Sequence, residues 1–156
     1  IGPQFLDPNL TIQGSITPPQ TPLNAFKEYW LNIKNSYTKY YLNKTTSVPA
    51  LSGGAILIKK ELFDQVGGWD ERYFFYYEDL ELCRQVRKLG KEIVYFPECK
   101  VIHRHGASGT KIVAPLNQWR RAIPSSKIYF GTFQHYLIFF IIWTNQQWRK
   151  IFSKLR

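Results

Sequence analysis

SGGAILIKKELFDQVGGWDERYFFYYEDLELCRQVRKLGKEIVYFPECKVIHRHGAS, running from Ser52 to Ser108, is the stretch on which the reading of this chain turns. Ser52-Gly53-Gly54 leads into Ala55-Ile56-Leu57-Ile58, a short apolar run whose composition predicts a buried strand. Lys59 to Val66 reads as a short helix with Leu62, Phe63 and Val66 on one face, and Gly67 is its left-handed terminator. Trp69 to Tyr77 is an aromatic loop. Glu78 to Leu89 is the clearest helix: Leu82, Cys83, Val86 and Leu89 make an apolar stripe, Arg87 and Lys88 occupy the last turn, and Gly90 ends it. Glu92 to Phe96 predicts a strand stopped by Pro97, with a second extended piece from Lys100 to His103.

On the N-terminal side, residues 1–24 hold Pro3, Pro8, Pro18, Pro19 and Pro22 and read as extended loop. Phe26, Trp30, Ile33 and Tyr37 recur at helical spacing, which predicts an aromatic helix within Asn24–Tyr41, and Thr45-Thr46-Ser47 follows as a polar linker. On the C-terminal side, a loop at Gly106–Gly109 precedes a mostly helical tail from Leu116 to Arg156, interrupted near Pro124.

A chain of 156 residues suits one domain with a buried core. Its 44% hydrophobic and 21% charged content excludes a disordered tail or a coiled coil. Two cysteines, Cys83 and Cys99, make neither a disulfide framework nor a zinc site, which favours a reducing compartment. The chain opens on Ile1 and has no methionine, so it is expected to be a piece of a longer protein. The net charge of +10 is uneven: the acids cluster between Glu61 and Glu98, and residues 101–156 carry nine Lys/Arg and no Asp/Glu. Such a segment attracts nucleic-acid phosphates, anionic lipid or a nucleotide diphosphate, and charge alone does not choose among them.

Three features carry chemical interest. Glu78-Asp79 opens the best helix, where acids complement the partial positive charge of unpaired N–H groups. Asp79 also lies four and seven residues before Cys83 and Val86, which turns it toward the buried side, where an ionised carboxylate needs a partner or a cleft. His103 and His105 share one face of an extended segment, a pattern that fits two ordinary histidines as well as a metal ligand. The segment Ile128–Thr144 is apolar but, with Gln134 and His135 inside, too short and polar for a membrane span. It reads either as a docking helix or as an interfacial one.

Taken in order, Ser-Gly-Gly before a strand, Gly-Gly-Trp-Asp-Glu-Arg before an aromatic loop, Glu-Asp opening a helix, a closing Gly, a strand with Pro and a terminal His resemble the second half of rhamnosyltransferase-like family 2 glycosyltransferases. The resemblance implies the C-terminal part of a GT-A fold, a Rossmann-like α/β sandwich that binds a nucleotide-diphosphate sugar, followed by a helical tail. Residues 1–115 are then the acceptor-side and catalytic part, and 116–156 the basic aromatic tail. It implies an inverting transferase acting in cell-surface polysaccharide synthesis, with Asp79 as general base, Glu78 beside it at the acceptor, and His103 as ligand to Mn2+ or Mg2+. Ser52, Gly53 and Gly54 fall where the backbone approaches the sugars, and Trp69 and Asp70 in the acceptor-side loop. The implied partners are a nucleotide-diphosphate sugar and a saccharide or lipid-linked acceptor. A cytoplasmic location is expected, with no nucleic acid involved, and peripheral contact through residues 125–156 would bring the protein to the inner face of the membrane. The family's Asp-x-Asp does not occur here, and Gln85 stands where the family often has Arg, with Arg84 next to it as the substitute. The competing reading is a basic aromatic module that binds nucleic acid or a membrane surface without catalysis.

Overall fold

A computed structural model of the chain describes residues 1–104 and 118–153. The 115/116 domain boundary, His105 and the Gly106–Gly109 loop lie outside the described residues. The fold is mixed α/β, with two small sheets, a central helix and a helical C-terminal region.

The N-terminal segment, expected to be loop, forms strand β1 (Gly2–Leu6), followed by β2 (Ile12–Gln13) and β3 (Ile16–Thr17). Strand β1 lies at the centre of a sheet ordered β2-β1-β6-β4, where β4 is Thr46–Ser47 and β6 is Val94–Ile102. It runs parallel to β6, and its other neighbour, β2, is antiparallel. Pro3 is tolerated because the ladder breaks there: Pro3 pairs with Phe96 but Gln4 pairs with Lys100. Pro97, Glu98 and Cys99 are skipped, so prolines on both strands fall at the irregularity, where no ladder donor is needed. The two extended pieces expected around Pro97 are therefore one strand.

The second sheet pairs β3 with β5 (Ala50–Leu51) antiparallel. The strand expected at Ala55–Ile58 is displaced to these two residues. Leu57 is exposed, and the run instead exchanges backbone bonds with the chain start, Leu57 N–H to Ile1 O and the Ile1 ammonium to Leu57 O, each 2.8 Å.

Helix α1 (Pro22–Tyr29) has Pro at its start and Thr21 as N-cap, whose hydroxyl accepts from Asn24 N–H. It is shorter than the sequence suggests. Helix α2 (Lys60–Gln65) ends as expected, with Gly67 at φ +83°. Helix α3 (Glu78–Lys88) buries Leu80, Glu81, Leu82, Cys83 and Val86, packs on β5, and is closed by Gly90 at φ +69°. Leu89 is exposed, so the apolar stripe shifts by part of a turn toward Leu80. Around it the core gathers Ile16, Val48, Leu51, Ile93 and Tyr95.

The tail forms α4 (Gln118–Phe130) and α5 (Thr132–Ser153). Helix α4 runs through Pro124, and the break comes at Gly131, whose φ of +78° no side-chain-bearing residue adopts cheaply. Helix α5 docks on α1: the Trp30 indole donates to Ile141 O at 3.1 Å, and the Asn145 amide donates to Tyr29 O at 2.5 Å.

Candidate active site

Strand β5 ends at Leu51, and the chain turns through Ser52-Gly53-Gly54 directly over the start of α3. Gly53 N–H donates to Asp79 Oδ2 at 2.8 Å, while Asp79 Oδ1 accepts from Leu80 N–H at 2.8 Å. The carboxylate is thus aimed at the turn by two backbone donors, and it remains partly exposed. A side chain at position 53 would lie 3.0 Å from Asp79 Cβ. At position 54 it would lie 2.8 Å from His103 Cδ2, 2.9 Å from Nε2 and 3.0 Å from Phe5 Cε2. The two glycines are what allow Asp79 and His103 to close on consecutive residues of one turn.

His103 follows the end of β6 and is held on several sides. Its N–H donates to Leu6 O at 2.8 Å, its ring lies 4.7 Å from that of Phe5, and Nδ1 meets Gln13 Oε1 at 3.0 Å. The Gln13 amide also donates to His103 O at 2.7 Å. Gln13 Oε1 is an acceptor, so Nδ1 is the nitrogen that donates to it, and Nε2 is the ring nitrogen on the Gly54 side. Among the described residues no three His, Cys, Asp or Glu side chains are arranged to hold a metal ion. The donor set therefore fits a cation only as one imidazole, with phosphate or carboxylate oxygens supplying the rest.

Ser52 is buried: its N–H donates to Ser15 O, and its hydroxyl accepts from Lys39 Nζ, both at 2.8 Å. Lys39 is delivered by the Ile16–Tyr40 bridge, a contact that no local sequence pattern signals. Glu78 sits half-buried beside this ammonium, and among the described residues its buried Oε2 has no hydrogen-bond partner. Burial pushes its carboxyl above the ordinary range, with a further push from the Asp79 charge, against pulls from its own backbone N–H and from Lys39. The turn that presents this pair is strained. Tyr76 and Tyr77 both have positive φ, +64° and +70°. Tyr77 is held there by ring contacts at 5.4 Å with both Tyr129 and Phe130 of α4.

Trp69 and Asp70 are placed apart from this cradle. They line a hollow of about 410 Å³ with Glu81 and Gln85. Trp69 stands edge-on to Phe63 at 6.0 Å, and Asp70 is forked by Arg72, whose hydrogen bonds hold its carboxyl below the usual range. Of the aromatic loop, Tyr73 is core and Phe74 is 86% exposed, so only some of these rings remain open to a ligand. Arg84 does pair with a carboxylate, that of the buried Glu81, which also accepts from Gln85.

Over part of its length the chain is similar to enzymes that transfer sugars. It is 47% identical over 60 residues to the N-acetylglucosaminyl-diphospho-decaprenol L-rhamnosyltransferase of Mycobacterium tuberculosis, a match covering 38% of this chain and 19% of that protein. It is 31% identical over 70 residues to rhamnosyltransferase WbbL of Escherichia coli K12, covering 45% of this chain and 26% of that enzyme. No family model matches the chain, and no solved structure matches it.

Proposed function

We propose that this chain is the acceptor-side and catalytic part of an inverting, GT-A-type glycosyltransferase. It would transfer a sugar, rhamnose by the relatives' names, from a nucleotide diphosphate to a saccharide or lipid-linked acceptor in cell-surface polysaccharide synthesis. The observation that carries the reading is the closing of Asp79 and His103 on Gly53 and Gly54, in a chain similar to two rhamnosyltransferases.

A sugar hydroxyl is a weak nucleophile at neutral pH. Asp79, oriented by Gly53 N–H and Leu80 N–H, takes its proton as the oxygen attacks the donor's anomeric carbon. The O–H bond breaks as the new C–O bond forms, and the anomeric bond to the diphosphate oxygen breaks on the opposite face, which inverts the configuration. Glu78 and Lys39 flank the attacking group. His103, through Nε2, would hold a divalent cation, which when bound stabilises charge on the departing diphosphate. The test is transfer by a full-length enzyme carrying this chain, followed by product anomer analysis with and without chelator. An α-linked product from an α-linked donor, or turnover indifferent to chelation, contradicts the inverting or the metal-assisted part respectively.

Helix α5 favours a membrane-surface role for the same protein. Among the described residues no helix is long and apolar enough to cross a membrane, yet Phe133, Phe139, Phe140 and Phe152 are each at least 48% exposed, with Arg149 and Lys150 on the same helix. Co-sedimentation with anionic vesicles is expected for the wild type and is expected to be lost in Phe139→Glu/Phe140→Glu. Equal sedimentation of both removes the lipid contact.

A further inference from the structure

On the flank of α3 that carries Arg84, Arg87 and Lys88 lies a second cavity, of about 430 Å³, which the catalytic reading does not use. Among the described residues its wall contains these three cations and no carboxylate. Cations in the last turn of a helix complement its dipole, which explains why Arg87 and Lys88 are basic. That does not explain why they share a hollow. Arg84 is matched by Glu81, whereas Arg87 and Lys88 have no carboxylate partner among the described residues. Thr17, 4% exposed, lines the same wall, and its hydroxyl has no hydrogen-bond partner among the described residues. The size is within the range of small-ligand sites, roughly 300–1,000 Å³, and the chemistry of the wall selects an anion.

The cavity adjoins the catalytic cradle along both of its structural supports. Leu80, which follows Asp79, lines it, as does Ala50, two residues before Ser52. At 1.5 Å per helical residue, the Cα atoms of Arg87 and Lys88 lie about 12 and about 13.5 Å along the axis from that of Asp79. Helical side chains lean toward the N-terminus, so the long Arg87 and Lys88 side chains reach back over part of that distance, toward phosphates attached across a single sugar ring from a hydroxyl at Asp79. Building on the transferase reading, we propose that this cavity holds the diphosphate of a lipid-diphosphate-linked sugar acceptor, with Arg87 and Lys88 as its principal contacts. The nucleotide donor also carries a diphosphate, so the test has to separate the two sources.

Titration of inorganic pyrophosphate into the 156-residue chain, at near-physiological salt, is expected to show affinity that falls about tenfold or more in Arg87→Gln/Lys88→Gln. Lys34→Ala/Lys44→Ala, which removes the same charge elsewhere, should keep wild-type affinity. Lys88→Glu alone provides a second variant with no ion pair to lose. Equal losses in all variants, or none, overturn the site. In a full-length enzyme carrying this chain, Arg87→Gln/Lys88→Gln should raise KM for farnesyl-diphospho-N-acetylglucosamine and leave KM unchanged for the donor and for an uncharged alkyl glycoside. A rise in donor KM instead assigns the cavity to the nucleotide and overturns the proposal. An unchanged acceptor KM with normal turnover removes the site and leaves the transferase reading intact. Failure of the enzyme to transfer to either acceptor, with the pyrophosphate contrast preserved, sinks the transferase reading and supports a phosphate site alone.

Discussion

Asp79→Asn in the full-length enzyme is expected to lower the transfer rate by about 10²- to 10⁴-fold, the usual contribution of a positioned base, with donor affinity little changed. The two bonds that orient the carboxylate use different oxygens, Gly53 N–H to Oδ2 and Leu80 N–H to Oδ1, so asparagine keeps one acceptor and sets its NH2 against the other donor. One orienting bond is lost with the proton acceptor, so a matched Tm and unchanged donor affinity in the variant are the readouts that assign the rate loss to the missing base. Wild-type turnover in this variant would show that another group removes the proton. Glu78→Gln, measured alongside, should behave differently. A carboxyl whose folded pKa is raised binds its proton more tightly in the native state than in the unfolded chain, so it adds stability as pH falls toward the carboxylate range and costs stability when ionised at neutral pH. Glu78→Gln is accordingly expected to raise Tm at pH 7, with the gain shrinking as the pH is lowered, while it impairs acceptor use. A lowered Tm at neutral pH would mean that the charge is compensated by a partner.

Helix α3 and its two acids are legible in the sequence because every signal for them is local: the apolar spacing, the acidic first turn, the basic last turn and Gly90 lie within one short window. The strands are not. Gly2 and Pro3 weaken the local signal of β1, whose parallel partner β6 lies some ninety residues away in the chain and skips Pro97–Cys99 to accommodate it. Ala55–Ile58 has the better strand composition, yet pairing falls on Ala50–Leu51, and Gly53-Gly54 are left free of a ladder to turn over Asp79 and His103. The same distinction applies within the site. Motif order picks out Asp79, Glu78 and His103 as candidates, whereas Lys39 and Gln13 reach Ser52 and His103 only through tertiary contacts that have no sequence signature.

Glu81→Ala is expected to destabilise the fold by about 3 kcal/mol, which for a chain of this size lowers Tm by roughly 6–12 °C. Glu81 is 2% exposed and accepts from the Arg84 guanidinium, the Gln85 amide and the Tyr73 hydroxyl, the last at 3.3 Å. Burial first, and the Glu81 charge second, push the Tyr73 phenol up to about 12, so it remains a donor at any working pH. Removal of the carboxylate leaves the buried Tyr73 hydroxyl and the Gln85 amide without this acceptor. It also leaves a guanidinium that lies 4.5 Å over the Tyr129 ring without its counter-charge. Because the Arg84 side chain is 39% exposed, water recovers part of that cost, which holds the figure below that of a fully buried pair. Glu81→Gln, which keeps an acceptor but not the charge, should lose less, and urea melts of the two variants separate the hydrogen-bonding share from the ionic one. If both melt with the wild type, Glu81 is dispensable to the fold. Its burial among three donors would then have to be explained by what Arg84 and Gln85 do at the two cavities they line.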